Sequence, residues 1–291
     1  MTVTTHECYD CAPTLTDTAV LEFCKNGYMM LEDVVPDEIN RMALEYCEYD
    51  VKHGTRPEGQ RTFGPNDILK QDWFMNNVIL NREAAGAVRS LLGRDFHVPV
   101  WMANHRAVAP FSCAGGWHVD GNFDFTHEMK YLQVFYYPQD TPIELGPTDV
   151  LPGSHLIRNA ARFMAHLGNI AGSVSTAAPA GSIFLTVYQI WHRRGKATVT
   201  GTRDMLKYNY WRTTPPVRDW IVEDDFDFAT ADFKSPVAEL AEQFRPAVRI
   251  SEMFLCLCGE HDKFQNLGGA SWPLPIRGID KPYGLPEGLG R

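Results

Sequence analysis

Nowhere in this chain do eighteen consecutive apolar residues occur, so no membrane-spanning helix is expected. Basic charge is also scarce. Against 36 Asp and Glu stand 27 Lys and Arg, giving a formal charge of -9 and a pI near 5.6. That balance opposes broad attraction to phosphate backbones or anionic lipid, so neither nucleic acid nor a membrane surface is expected as a partner. A disulfide framework is missing too: Cys8, Cys11, Cys24, Cys47, Cys113, Cys256 and Cys258 form an odd set without small-domain spacing. Reduced thiols in a reducing compartment fit them better. Cys8 and Cys11 make a CxxC, but no second CxxC follows to complete a zinc ribbon. The first residues contain no basic stretch leading into an apolar run, and a cytoplasmic location is expected. Repeats and low-complexity linkers are lacking as well.

What is present suits one enzyme-sized unit. The 291 residues are 44% hydrophobic, enough for a single domain over 1–291, with a helical part over about 14–95, a β-rich core over 96–212 and an extension over 213–291. Thr16 is placed to cap a first helix, with Leu15 stapled against Val20 and Gly27 ending it. A strand Tyr28 to Leu31 follows. Pro36 and Asp37 open a second helix with Ile39, Met42, Ala43, Tyr46 and Cys47 along one face. Residues 53–67 read as a loop, and Asn81 to Leu92 as another helix.

From Phe96 to Trp211 the period shortens to that of strands. The expected strands are Val98 to Val108, Tyr131 to Tyr137, Gly146 to Leu151, Ser182 to Tyr188 and Asp204 to Trp211. Short strands of this kind, flanked by helices, predict a β-rich α+β fold built on a cupin-like jelly-roll, or double-stranded β-helix, barrel. A later helix is expected from Ser235 and Pro236, and irregular chain over the last twenty residues.

His118 and Asp120 stand two apart in Gly115-Gly116-Trp117-His118-Val119-Asp120, so in an extended segment both project from one face. His192 follows the apolar run Gly181 to Trp191, which reads as one strand crossing the barrel and delivering the imidazole at its far rim. Two imidazoles and a carboxylate on one face of an octahedral ion leave three positions open, which suits Fe(II) when oxygen and a chelating acid must bind together. Arg203, eleven residues beyond His192, begins the last strand and is expected beside the His192 strand, its planar fork of donors able to grip a carboxylate at two points. Each residue also has a plainer reading: a solvated strand end, a core histidine, a surface arginine.

Four stretches together resemble the phytanoyl-CoA dioxygenase family of Fe(II)- and 2-oxoglutarate-dependent oxygenases: LTDTAVLEFCKNGYMMLEDVVPDEINRM, GGWHVDGNF, GPTDVLPGSH, and IWH with Arg203 beyond it. The resemblance implies that His118, Asp120 and His192 hold Fe(II), that Arg203 pairs with the distal carboxylate of 2-oxoglutarate, and that O2 is consumed. It treats His155, in the PGSH stretch, as part of a structural turn. Asn104 and Gln133 are candidate co-substrate partners on strands expected to line the barrel. Arg194 departs from relatives that often carry a small hydroxyl residue there, so it either points outward or rearranges the clamp. Because Asp120 is retained where halogenating relatives have a small residue, hydroxylation or desaturation is expected rather than halogenation. A small metabolite or natural-product intermediate is the expected substrate. A zinc-type hydrolase and a non-catalytic cupin-like metal or small-acid binder stay open, as does a homodimer.

Overall fold

The computed structural model describes residues 7–53, 66–120, 125–157, 165–236 and 244–264. Thr16 turns the chain into α1 (Asp17–Asn26), its side chain accepting from the Ala19 N–H; Gly27, at φ +76°, ends the helix by donating to Phe23 O. Leu15 and Val20 are both buried, as the staple requires. α2 (Asp37–His53) buries Asn40, Ala43 and Cys47. A 3-10 turn (Asn66–Lys70), the single turn α3 (Asp72–Phe74) and a π-helical turn (Met75–Ile79) lead to α4 (Arg82–Leu92), whose cap is Asn81 accepting from Glu83 and Ala84 N–H. The loop reading of 53–67 thus begins in the last residue of α2, ends in the 3-10 turn, and otherwise lies outside the described residues. Among the described residues no helix is long and apolar enough to cross a membrane.

The described residues hold twelve strands, in chain order β1 (Cys8–Tyr9), β2 (Tyr28–Leu31), β3 (Phe96–His97), β4 (Met102–Asn104), β5 (Ala107–Ala109), β6 (Tyr131–Tyr137), β7 (Thr148–Leu151), β8 (Val174–Ser175), β9 (Ser182–Val187), β10 (Trp191–Arg194), β11 (Gly201–Arg203) and β12 (Leu206–Trp211). The large antiparallel sheet runs β1-β3-β12-β6-β9-β2 with β4 also beside β12; β10-β7-β8 and β11-β5 form two smaller sheets. This is the expected β-rich jelly-roll class with flanking helices. Its two faces follow from side-chain alternation. On one face Tyr136 and Tyr210 turn to the helices, Tyr136 OH donating to Asn40 Oδ1 at 2.6 Å and Tyr210 OH to Ile79 O at 2.6 Å. The opposite face carries the registered rows Thr186–Gln133–Asn209 and Phe184–Phe135–Lys207. Phe135 on this face meets His192 of the small sheet, ring centroids 6.0 Å apart.

Two strand expectations need correction. Val98 to Val108 is not one strand: β3 has already ended at His97, before Pro99, which offers no ladder donor, and the stretch holds β4 and the start of β5. Gly181 to Trp191 does not cross the barrel as one strand either. β9 pairs with β6 in the large sheet, the chain turns at Tyr188 and Gln189, and Trp191 N–H donates to Ser154 Oγ at 2.8 Å as β10 joins β7 in the other sheet. Both halves are buried, so an unbroken apolar run hid the corner. The helix expected from Ser235 falls mostly outside the described residues. Instead α5 (Phe244–Leu257) is seen, with Ile250, Met253, Phe254 and Leu257 buried. The last twenty residues lie outside the described set. The acidic stretch after Pro216 serves α1: Asp17 Oδ2 accepts from Glu223 N–H and Asp17 Oδ1 from Trp220 Nε1, both at 2.8 Å, while Glu223 caps Thr18 N–H at 2.6 Å.

His155 sits in a 3-10 turn (Ser154–Leu156) as a structural residue. Its Nε2 meets Cys24 O at 2.9 Å, a contact that requires the proton on Nε2, and a Cβ at Gly27 would fall 2.4 Å from its Nδ1. Burial depresses its pKa to about 4, outweighing the Cys24 carbonyl. An unfolded histidine titrates near 6.5, so between that value and about 4 the unfolded chain binds more protons and stability falls as pH falls. Thermal midpoints measured from pH 7 to 4 should drop more steeply for the parent than for His155→Gln. Parallel slopes would refute the assignment.

Candidate metal centre

The two imidazoles and the carboxylate converge by strand pairing. His118 forms an isolated antiparallel bridge with His192, each N–H donating to the other's carbonyl at 3.0 Å. That bridge brings the Trp117–Asp120 segment against β10, and the two imidazole rings lie 4.3 Å apart between centroids. One ligand atom from each of His118, Asp120 and His192 can be chosen so that all lie within 4.8 Å of one another.

Backbone carbonyls set the tautomers. His118 Nδ1 contacts Gly116 O at 3.0 Å and His192 Nδ1 contacts Ile190 O at 3.1 Å. Since a carbonyl only accepts, each Nδ1 must carry the proton, which leaves both Nε2 lone pairs for a metal. His118 Nε2 stands 3.9 Å from Asp120 Oδ1 and His192 Nε2 3.1 Å from Asp120 Oδ2. The trio therefore fits a divalent ion in both geometry and donor type, with neutral imidazoles and an ionised carboxylate.

The electrostatics favour a neutral His118 and an ionised Asp120. Burial, and then the neighbouring His192, lower the His118 pKa against the opposing Gly116 carbonyl and Asp120. Burial would raise Asp120, but the His192 hydrogen bond and the Lys207 ammonium outweigh it and hold the carboxyl well below the usual carboxylate range. Gln133, fully buried on β6, donates from Nε2 to Asp120 Oδ2 at 2.7 Å. It thereby orients the carboxylate, although sequence reasoning placed it with the co-substrate.

Lys207 is the residue that sequence reasoning missed. Its ammonium also donates to Asp120 Oδ2 and lies 5.4 Å from the centroid of the Phe135 ring. A signal existed: in LKYNYW the polar residues Lys207 and Asn209 alternate with apolar ones, which marks a polar inner face. Lys207 competes with a cation for the same carboxylate. Removing one unit charge about 5 Å away is worth roughly 3 kcal/mol at an effective dielectric constant of 20. After losses in the carboxylate's other hydrogen bonds, Lys207→Met should tighten Ni(II) binding by about tenfold, read by calorimetry. Unchanged or weaker binding would remove Lys207 from the metal equilibrium.

Asn104 needs correction. It is in register with Leu206, which is in turn in register with Tyr136, and so it shares the helix-facing side rather than the Lys207 and Phe135 side. Its amide donates to Asp204 Oδ1 at 2.6 Å and accepts from Met205 N–H at 3.3 Å.

Arg203 is not beside the His192 strand as expected. β11 pairs with β5, placing Arg203 opposite Ala107, because the chain breaks at Asp204 and Met205 before β12 begins. The guanidinium is nonetheless buried, donating to Gly146 O at 2.7 Å and His105 O at 3.4 Å, with Nε lacking any partner. Gly146 lies just ahead of β7, the neighbour of β10. Burial, and Arg194 among its neighbours, lower the Arg203 pKa. Among the described residues it forms no ion pair with a carboxylate, so an anionic ligand would relieve a costly buried charge. Arg194 projects from the same face as His192 and lies over the Phe111 ring, 3.7 Å from its centroid, partly buried.

A cavity of about 300 Å³ has Met129, Tyr131, Tyr188, Gln189 and Met253 in its wall, and Tyr188, which feels the Asp120 charge, links it to the trio. Tyr188 packs edge-on to Tyr131, centroids 4.7 Å apart, and its pKa is raised by burial and then by Asp120. Trp117, Trp191, Tyr208 and Tyr210 are buried as packing, and Phe123 lies outside the described residues.

A profile of the phytanoyl-CoA dioxygenase (PhyH) family matches residues 23–204. No curated protein sequence matches the chain. Solved structures agree in fold. The non-heme alpha-ketoglutarate-dependent epimerase SnoN from nogalamycin biosynthesis is 16% identical, covering 67% of this chain and 80% of its own, with a TM-score of 0.53. The carbocyclase SnoK from the same biosynthesis is 19% identical over 72% and 91%, TM-score 0.53. HygX from Streptomyces hygroscopicus, with nickel and 2-oxoglutarate bound, is 15% identical over 72% and 90%, TM-score 0.53.

Proposed function

The chain belongs to the phytanoyl-CoA dioxygenase family and is an Fe(II)- and 2-oxoglutarate-dependent oxygenase-type enzyme; from that premise we propose that it hydroxylates a small natural-product intermediate. His118, Asp120 and His192 hold the iron in this reading, and Arg203 binds the distal carboxylate of 2-oxoglutarate. The observation that carries it is the convergence of three ligand atoms within 4.8 Å with both imidazole Nδ1 atoms tied to carbonyls.

Bound iron supplies O2 activation coupled to decarboxylation: one oxygen atom enters succinate, the other a substrate C–H bond, and CO2 leaves. The chain's own contribution is placement. Gln133 holds the Asp120 carboxylate in position, and the Gly116 and Ile190 carbonyls fix the ring tautomers. Phe135 and Phe184 close the inner wall against water. Tyr131 and Tyr188 present an aromatic surface in the adjacent cavity, suited to a flat, partly polar substrate. The epimerase and carbocyclase activities of the fold neighbours support a small-molecule substrate, and an epimerisation or ring closure would begin from the same C–H cleavage. The acidic charge supports a free small molecule over a nucleic acid or membrane surface, and a cytoplasmic location accords with seven free thiols. An unpaired Arg203 is what a zinc hydrolase or a passive metal binder at the same trio would leave unexplained.

The test is succinate release. With Fe(II), O2 and 2-oxoglutarate, a panel of small natural-product intermediates should contain members that raise succinate formation and appear one oxygen heavier, or two hydrogens lighter, by mass spectrometry. Release of hydrolysis products without succinate would favour the hydrolase.

A further inference from the structure

Outside the trio a second set of imidazole and carboxylate groups converges. His127 lies on the segment before β6, Glu252 within α5, and His261 on the 3-10 turn that follows α5 (His261–Lys263). His127 Nδ1 and His261 Nε2 both reach Glu252 Oε1, at 3.0 and 3.1 Å, and the three ligand atoms lie within 4.8 Å of one another. We propose that these residues form a second divalent-metal site, of zinc type, that staples α5 to the wall of the cavity beside Tyr188.

Donor spacing and chemistry argue for it. With metal–ligand bonds of 2.0–2.2 Å, neighbouring donors on a tetrahedral zinc stand roughly 3.3–3.6 Å apart. The two edges sharing Glu252 Oε1 need open by only a few tenths of an ångström. Two imidazoles and a carboxylate select zinc-like ions over magnesium or calcium, which prefer oxygen. Side-chain exposures of 29%, 21% and 39% for His127, Glu252 and His261 leave room for water as a fourth ligand while holding the three in place. Glu128 senses both imidazoles, adding negative potential at the site.

The rings now stack, centroids 3.7 Å apart and planes 13° from parallel. A shared ion needs both lone pairs aimed at one point, so His261, the most exposed of the three, must rotate out of the stack as the metal enters. Glu128 and Met253, each adjacent in sequence to a ligand, line the cavity, so the ion would fix its rim. This site shares no ligand with the iron trio and stands independently of the reaction proposed there.

The experiment is a cobalt(II) and zinc titration of chelator-stripped full-length protein, with bound metal counted after gel filtration. Two equivalents are expected in the parent, with the intense visible bands of four-coordinate cobalt from one of them. His261→Gln and Glu252→Gln should each remove that band and one equivalent, weakening zinc there at least about 100-fold. His192→Ala should remove only the other equivalent. A single equivalent in the parent that His192→Ala abolishes, or two equivalents retained by both His261→Gln and Glu252→Gln, would overturn the proposal. The exposed His261 position keeps the test readable if Glu252→Gln fails to fold.

Discussion

Replacing His192 with alanine is expected to abolish the weak visible charge-transfer band that Fe(II) and 2-oxoglutarate give together under anaerobic conditions, and turnover with it. The size of the effect follows from the coordination. Loss of a group that merely orients a ligand lowers metal affinity by about 10–100-fold, so loss of a ligand should cost roughly a thousandfold or more. His155 cannot stand in for the buried His192, because its Nε2 points at Cys24 O. His155→Gln is therefore the control, expected to keep the band while lowering stability. A band surviving in His192→Ala but lost in His155→Gln would exchange their roles.

Replacing Arg203 with methionine should leave the Fe(II) affinity nearly intact while weakening 2-oxoglutarate binding by about two to three and a half orders of magnitude. Removing one partner of a buried ion pair costs about 3–5 kcal/mol, and each 1.4 kcal/mol is a factor of ten. Arg203→Lys keeps the charge but offers a point rather than a fork, so it should recover only part of the affinity. Calorimetric titration with metal alone, and then with co-substrate, separates the two constants. Equal loss of both would make Arg203 a general structural support, held as it is on the Gly146 and His105 carbonyls.

The His118 and Asp120 pair was readable because alternation along an extended segment is short-range, whereas His192 came with the family resemblance, its expected barrel-crossing strand being split at Tyr188. Local end signals served equally well at Thr16 and Gly27, where cap chemistry acts within one helical turn. Partner strands were harder. Nothing local tells Arg203 to pair with Ala107 instead of the His192 strand, since register is settled by distant elements. Apolar runs also conceal corners, as at Tyr188, because both β9 and β10 are buried on each side of the turn. α5 went unread although Ile250, Met253, Phe254 and Leu257 stand at helical spacing, because Pro246 near its start reads as a breaker. Lys207 escaped because nothing local places its side chain against Asp120, which lies 87 residues away in sequence.

The most direct measurement is a crystal structure of the protein with Ni(II) and 2-oxoglutarate, grown without oxygen-dependent turnover. The account predicts nickel on His118 Nε2, Asp120 and His192 Nε2, with Lys207 displaced from Asp120 and the distal carboxylate of the co-substrate on Arg203. Nickel bound by other residues, or a co-substrate whose far end meets a different cation, would contradict it.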